Sequence, residues 1–302
     1  MSGLLLAFED EQALAQPLAA ALGWPLAWIT RHRFPDGESM LTLPPALPPR
    51  VALLRGLHQP NDKLAELMIS APAARELGAM HLTLVCPYLA YMRQDMAFQP
   101  GQAVSQRHVG RALAQWFDAL VTVDPHLHRV ASMDEVVPGR RGVALSAAAL
   151  LGDWAVRHAH EPVLLGPDEE AAQWVGVAAR AHGLQHAVCR KLRHGDAQVS
   201  VELPDLDLRG RAVVLVDDVA STGQTLVAAT RGALARGARS VDVAVTHALF
   251  VGDAMARLAA CGVRQVCSTD TVPHASNAVS VAPLLATAVA RVVTTVERSA
   301  RA

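Results

Sequence analysis

Asp217 and Asp218 stand side by side at the end of an apolar run, in a stretch that reads AVVLVDDVASTGQTL from Ala212 to Leu226. A buried strand over Val213–Val216 delivers the two carboxylates, the loop Ser221-Thr222-Gly223-Gln224-Thr225 follows, and a helix opens behind it. Ligands of open parallel sheets bind outside the carboxyl ends of strands, which is where such a loop lies. Gly223 permits close backbone approach, the amides at the helix start point outward, and the hydroxyls add donors. Together these make a cradle for phosphate. Carboxylates beside it suit the hydroxyls of a sugar phosphate, met directly or through a divalent cation. The competing reading is an acidic strand end before an ordinary capped helix. Asp-Asp alone would fit that reading; the whole D-D-x-x-S-T-G-x-T pattern favours the cradle.

The elements that position this stretch alternate along the chain. Strands are expected at Leu4–Phe8, Val51–Leu57, His81–Tyr88, Ala119–Val123, Val163–Gly166, Ala187–Leu192, Val213–Val216, Val241–Thr246 and Val266–Ser268. Helical patterns lie between them at Asp62–Leu77, Gln106–Phe117, Glu169–His182, Gln224–Arg236 and Asp253–Cys261. Near-continuous apolar strands joined by helices predict an α/β protein, with mainly parallel sheets flanked by helices. The charged turn segment Val137-Pro138-Gly139-Arg140-Arg141-Gly142 separates two halves of similar pattern, which predicts domains over residues 1–142 and 143–302. Neither half contains G-x-G-x-x-G or G-x-x-x-x-G-K-[ST], so dinucleotide and Walker-type sites lose their main support.

Composition narrows the partners. Of 302 residues 51% are hydrophobic and 18% charged, enough for a sizeable core. Lys plus Arg (27) against Asp plus Glu (28) leaves a net charge of −1, no electrostatic reason to expect nucleic acid or a membrane surface as partner. The N-terminal MSGLLLAFEDE lacks a basic segment, and the apolar stretch Val281–Val296 is broken by Pro283 and Arg291. A cytoplasmic protein with four reduced cysteines is the expectation.

The cradle resembles the signature of the type I phosphoribosyltransferase fold, and other segments select one branch of it. Phe34-Pro35-Asp36-Gly37-Glu38 resembles F-x-D-G-E, and Pro87-Tyr88-Leu89-Ala90-Tyr91-Met92-Arg93-Gln94-Asp95 resembles P-Y-x-x-Y-x-R-Q-D of the ribose-phosphate diphosphokinase (phosphoribosyl diphosphate, PRPP, synthetase) family. Thr122-Val123-Asp124-Pro125-His126, Gly166-Pro167-Asp168, Lys191-Leu192-Arg193 and Thr246-His247 continue the likeness in order. The resemblance implies two tandem phosphoribosyltransferase-like domains and transfer of the diphosphoryl group of ATP to the C1 hydroxyl of ribose 5-phosphate, giving PRPP and AMP for nucleotide biosynthesis. It implies catalytic roles for Lys191 and Arg193, and ATP contacts from Phe34, Asp36, Gly37, Glu38, Arg93 and Gln94. Ribose 5-phosphate falls to Asp217, Asp218 and Ser221–Thr225, and Mg²⁺ to His126 and Asp168. A homo-oligomer, dimer or hexamer, with active sites shared between subunits is implied as well.

The sequence departs from that pattern at three places. Glu169-Glu170 replaces a Gly-Gly pair, which puts acid beside a diphosphate site unless a cation offsets it or the side chains turn away. Ser221 stands where many members have Asp, and Met96-Ala97 follow Arg93-Gln94-Asp95 where basic residues are common. That last change predicts weak regulatory anion binding, unless residues distant in sequence such as Arg129 or Arg140 supply the charge. The alternatives are a PRPP-consuming phosphoribosyltransferase, which would lack the F-x-D-G-E and R-Q-D motifs, and a non-catalytic regulatory paralogue, which would lack Lys191, Arg193 or the metal positions.

Overall fold

A computed structural model describes residues 3–127, 129–194 and 198–300, and the side chains of 192–194, 198–200 and 294–300 lie outside that description. The chain separates into two units, Met1–Leu145 with Val281–Ala302, and Ser146–Ser280. The division expected at residue 142 thus falls after Leu145, and the C-terminal segment leaves the expected second domain for the first unit.

The first unit contains β1 (Leu4–Phe8), α1 (Gln12–Leu22), β2 (Leu26–Arg33), β3 (Ser39–Thr42), β4 (Arg50–Leu54), α2 (Pro60–Glu76), β5 (His81–Cys86), α3 (Ser105–Trp116), β6 (Ala119–Val123), the short α4 (Met133–Val136) and β7 (Arg141–Leu145). Its sheet runs β3-β2-β1-β4-β5-β6-β7. Only the β2–β3 pair is antiparallel. Leu6, Leu53, Leu84 and Leu120 meet Leu67 of α2 and Leu113 of α3 in one core. The alternate strand residues Leu5, Leu54, Val85 and Val121 are equally buried, as the period-two geometry of a sheet covered on both faces requires. That second face is covered by α1 and by the C-terminal helix Ala282–Ala300. The helix buries Leu285, Val289 and Val292, spaced by three or four residues. This apolar stripe is why residues 281–302 belong to the first unit. No helix among the described residues is long and apolar enough to cross a membrane.

The second unit contains α5 (Ala148–His158), β8 (Val163–Gly166), a 3-10 turn Glu169–Ala171 entering α6 (Ala172–Arg180), β9 (His186–Val188), β10 (Arg190–His194), β11 (Gln198–Glu202), β12 (Ala212–Ala220), α7 (Gln224–Ala235), β13 (Ser240–Ala248), α8 (Ala254–Ala260), β14 (Val263–Thr269) and β15 (Asn277–Val279). A parallel sheet of order β15-β14-β13-β12-β8-β9 lies between α5 with α6 on one face and α7 with α8 on the other. β10 and β11 form a separate antiparallel pair. The strand expected over Ala187–Leu192 breaks at Cys189, whose N–H donates to the Gly166 carbonyl at 2.8 Å before the chain leaves the sheet. The strand expected to end at Val216 continues through Asp217 and Asp218 to Ala220, held by pairing with β13.

Strand order in the first sheet reverses between β1 and β4, and the chain buries charge there. Arg55, just past β4 and with no solvent exposure, donates to Asp10 Oδ1 (2.7 Å), Glu11 Oε1 (3.3 Å) and Glu66 Oε2. Its guanidinium lies 4.3 Å above the centre of the Phe8 ring. Lys63 Nζ donates to the Gly56 carbonyl (2.9 Å) and lies 3.8 Å from Glu11. The same ammonium is 3.2 Å from Nδ1 of His58, and burial together with the Lys63 and Arg55 charges pushes the His58 pKa down to about 4.

A histidine depressed in the folded state binds its proton more readily when unfolded, so it costs stability as pH falls from about 6.5 to about 4. His58→Gln should flatten that part of the pH–stability profile by roughly 1–3 kcal/mol. Urea midpoints at pH 4.5 and 7 check it; an unchanged slope contradicts the assignment.

Candidate functional site

The second sheet also reverses its order, between β8 and β12, and most of the residues singled out in this half of the chain lie at that edge. An open parallel sheet offers its binding crevice at such a reversal. Asp168 follows β8, and its Oδ1 accepts the Glu170 N–H at 3.1 Å, capping the 3-10 turn. Its Oδ2 lies 3.7 Å from Lys191 Nζ, which β10 supplies. Burial, with Glu170 and Asp218 adding to it, raises the Asp168 pKa despite Lys191. Asp217 is raised well above the ordinary carboxylate value, by burial first and then by the charges of Asp218 and Asp168. Asp218, more deeply buried, donates its backbone N–H to Asp217 Oδ1 at 3.0 Å.

The cradle behind these carboxylates is held by its carbonyls. Leu249 and Phe250 donate their N–H groups to the Ala220 carbonyl (3.0 and 2.9 Å), and Val251 donates to that of Ser221 (3.0 Å). Arg257 Nη2 donates to the Thr222 carbonyl at 2.8 Å. Gly223 sits at φ +71, where a side chain would be strained, and caps α7 without a side-chain hydrogen bond to the first-turn amides. The amides at Gln224 and Thr225 therefore begin a helix with anion-seeking donors and the positive end of its dipole. Sequence reasoning did not single out Arg257 or the Leu249–Val251 segment, because their contact with the loop is made across a parallel strand pair.

Glu169 and Arg193 complete this edge. The Glu169 carboxylate is exposed and turns toward Arg190 at 3.9 Å, while the Glu170 charge stays close enough to act on Asp168. Arg193 lies on β10, its backbone registered opposite Val199, and its side chain lies outside the described residues.

The remaining expected residues belong to the first unit. Phe34 to Glu38 form the tip of the β2–β3 hairpin, closed by Phe34 N–H to the Glu38 carbonyl (2.8 Å) and Gly37 N–H to the Phe34 carbonyl (3.0 Å). Asp36 Oδ1 accepts the Glu38 N–H at 3.1 Å, and Gly37 takes φ +96. Phe34 is exposed, with His32 edge-on to its ring at 4.8 Å. Arg93 is exposed after β5; Gln94 Nε2 donates to the Met96 carbonyl at 3.1 Å. His126 is half-buried in the loop after β6, where Asp124 takes φ +36. Buried Asp95 accepts from Arg129 at 2.7 Å, and Arg129 joins Arg107 and Arg111 around a cavity of about 430 Å³ that Met96 also lines. Cations missing from the sequence after Arg93 thus arrive from α3 and from the loop after β6.

Among the described residues no group of three His, Cys, Asp or Glu side chains could hold a metal ion. The burial and neighbouring carboxylates that raise Asp168 and Asp217 nevertheless fit a hydrated divalent cation, which needs few protein ligands.

The chain is similar to known proteins over nearly its whole length. The family profile of the N-terminal domain of ribose phosphate pyrophosphokinase matches residues 4–116, and that of the phosphoribosyl transferase domain matches 144–260. Ribose-phosphate pyrophosphokinase of Methanopyrus kandleri is 38% identical over 290 residues, covering 95% of this chain and 98% of its own. That of Halobacterium salinarum is 38% identical over 289 residues, covering 94% and 100%. The crystal structure of phosphoribosylpyrophosphate synthetase from Mycobacterium smegmatis superposes with a TM-score of 0.83 at 26% identity, covering 97% and 99%.

A carboxyl held above its ordinary value binds a proton more readily in the folded state, so its contribution to stability is lost as pH rises through that region. Asp217→Asn in metal-free buffer should stabilise the protein by roughly 0.5–2 kcal/mol at pH 8, and by less at pH 5. Denaturant midpoints at the two pH values decide; destabilisation at pH 8 contradicts the electrostatic account.

Proposed function

The chain belongs to the ribose-phosphate pyrophosphokinase family, and on that premise we propose how it transfers the diphosphoryl group of ATP to ribose 5-phosphate. The bond formed joins the C1 hydroxyl oxygen to the β-phosphorus, and the bond broken releases AMP. The observation that carries this reading is the edge where Lys191, Asp168, Asp217 and the free amides of the 221–225 loop share one strand-order reversal.

Within that edge the amides and hydroxyls of Ser221, Thr222, Gly223, Gln224 and Thr225 hold the 5-phosphate, and Asp217 orients the ribose hydroxyls with Asp218 supporting it. Lys191 and Arg193 stabilise charge on the diphosphoryl group in transit, the main task in phosphoryl-type transfer. Phe34 stacks on adenine while Asp36 and Glu38 accept from its amino edge and Gly37 shapes the turn. Arg93 and Gln94 contact the nucleotide. Asp168 in the second unit and His126 in the first would each offer a ligand to Mg²⁺, which would neutralise phosphate charge. The N-terminal family match supports this over a phosphoribosyltransferase, which needs no such nucleotide loop. A cytoplasmic site of action suits these substrates.

Purified protein with ATP, Mg²⁺ and ribose 5-phosphate should yield AMP and PRPP; ADP formation would mean an ordinary kinase instead. Lys191→Ala should lower kcat by about 10² or more while ribose 5-phosphate binding holds, because its charge acts mostly on the transition state. Near-normal kcat in that variant would remove Lys191 from the mechanism.

The exposed nucleotide hairpin also supports a homo-oligomer with sites shared between subunits. Mixing an inactive Asp36→Ala/Glu38→Ala variant with inactive Lys191→Ala should then restore part of the activity in hybrid assemblies. Verified hybrids without activity, or an active monomer, would count against shared sites.

A further inference from the structure

The hairpin that carries Phe34, Asp36 and Glu38 projects past the body of its sheet. β2 pairs with β1 only from Leu26 to Ile29 and with β3 only from Thr30 to Arg33, so no residue of β2 has a strand on both sides. A two-stranded ribbon of this length is marginal in water by itself. Leu41 packs against the core from β3, but the charged ties of the ribbon run to α2. Arg31 Nη1 donates to Glu66 Oε1, and Arg33 lies 3.0 Å from Asp62.

Those two ties are unequal. Arg33 and Asp62 are both well exposed, at 61% and 67%, so their pair contributes little. Glu66 is 2% exposed, and its other oxygen is committed to the fully buried Arg55. Arg55 is fixed in turn by Asp10, Glu11 and the Phe8 ring. A carboxylate fixed by a buried cation is a rigid anchor, and Arg31 is three residues from Phe34.

We propose that Glu66 and Arg31 are positioning residues for the nucleotide loop: the buried carboxylate, locked by Arg55, sets the direction of the ribbon and so the place of Phe34, Asp36 and Glu38. Neither side chain touches the nucleotide; both act through the hairpin. The proposal rests on the assignment of that hairpin to ATP.

Removing Glu66 would strip the buried Arg55 of one of its three carboxylate partners and endanger the fold, so the test uses Arg31. Arg31→Met keeps the Arg55–Glu66 pair and should weaken binding of Mg²⁺·ATP by about tenfold, the loss expected for one charge-assisted hydrogen bond. The KM for ribose 5-phosphate should stay within about twofold, and Arg31→Lys should recover most of the loss. Hydrogen exchange without ATP should quicken over residues 30–42 and not elsewhere in the first unit. In a Phe34→Ala background, Arg31→Met should add little, because both substitutions disable one loop.

Full additivity would mean that Arg31 meets the nucleotide by itself, and unchanged exchange over 30–42 would mean that Glu66 does not hold the ribbon. Either result overturns the proposal, as does normal ATP binding by Arg31→Met when Phe34→Ala binds poorly. Normal ATP binding by Phe34→Ala and Glu38→Ala would instead remove the hairpin from the nucleotide site, and this inference with it.

Discussion

Arg55 gives up all contact with water, and the first unit is arranged around that fact. A buried guanidinium is tolerated only when opposite charge and hydrogen-bond acceptors surround it. Asp10 and Glu11 supply them from the 3-10 turn Glu9–Glu11 that leads into α1, Glu66 from α2, and the Phe8 ring offers its negative face below. Lys63 returns positive charge to Glu11, so three cations (Arg55, Arg31, Lys63) balance three carboxylates (Asp10, Glu11, Glu66). The partners come from four places (the 3-10 turn Glu9–Glu11, β2, the end of β4 and α2), and none of these can shift without unpairing another. The network therefore fixes the ends of β1 and β4, the angle of α2 and the exit of β2.

The same topological position is used in opposite ways in the two sheets. Both reverse strand order, between β1 and β4 in the first and between β8 and β12 in the second. Such a reversal opens a crevice because the flanking crossovers go to opposite faces. In the first unit the crevice is filled by the unit's own charged side chains, and the candidate nucleotide residues lie outward on loops and a hairpin. In the second, Asp168 stands 3.7 Å from Lys191 and Asp217 is buried beside Asp218, with no buried cation between the two carboxylates among the described residues. A balanced cluster gives rigidity, and an unbalanced one gives affinity.

The second unit was the more legible half. Its site residues lie within short segments of the chain, and spacing alone recovers a strand–loop–helix cradle. Strands with uninterrupted apolar runs, such as Leu4–Phe8 and Ala119–Val123, could be placed to the residue. β2 and β7 were not among the expected strands, because a strand whose residues have one neighbour and partial cover carries no clear period. The buried network was invisible, since Arg55, Lys63 and Glu66 look like any solvated charges until the strands bring Glu11 and Asp10 beside them. Arg129 shows the same limit. It lies 34 residues from Asp95 and supplies the charge that the local sequence lacks. The placement of the last helix also escaped, because an amphipathic stripe says that a face is covered without saying by which unit.

Two cation–carboxylate pairs, one in each unit, differ in how tightly the cation is held. Arg129 holds Asp95 at 2.7 Å, a hydrogen-bonded contact with a carboxylate that is almost fully buried. Lys191 stands 3.7 Å from Asp168, beyond hydrogen-bond distance, with its side chain 30% exposed. The first pair would lose a directional bond on opening; the second would lose only a screened Coulomb attraction, which a phosphate oxygen could replace in the proposed reaction. Burial raises the pKa of Asp168 and of Asp217, with Glu170 and Asp218 adding to the first and Asp218 and Asp168 to the second, so the edge holds repulsion that a bound cation would relieve. Interactions that are poor in the free protein and good around a transferring diphosphoryl group are those that lower a barrier without tightening the ground state. That electrostatic imbalance, more than the identity of any one side chain, separates this edge of the second sheet from the quiet one in the first.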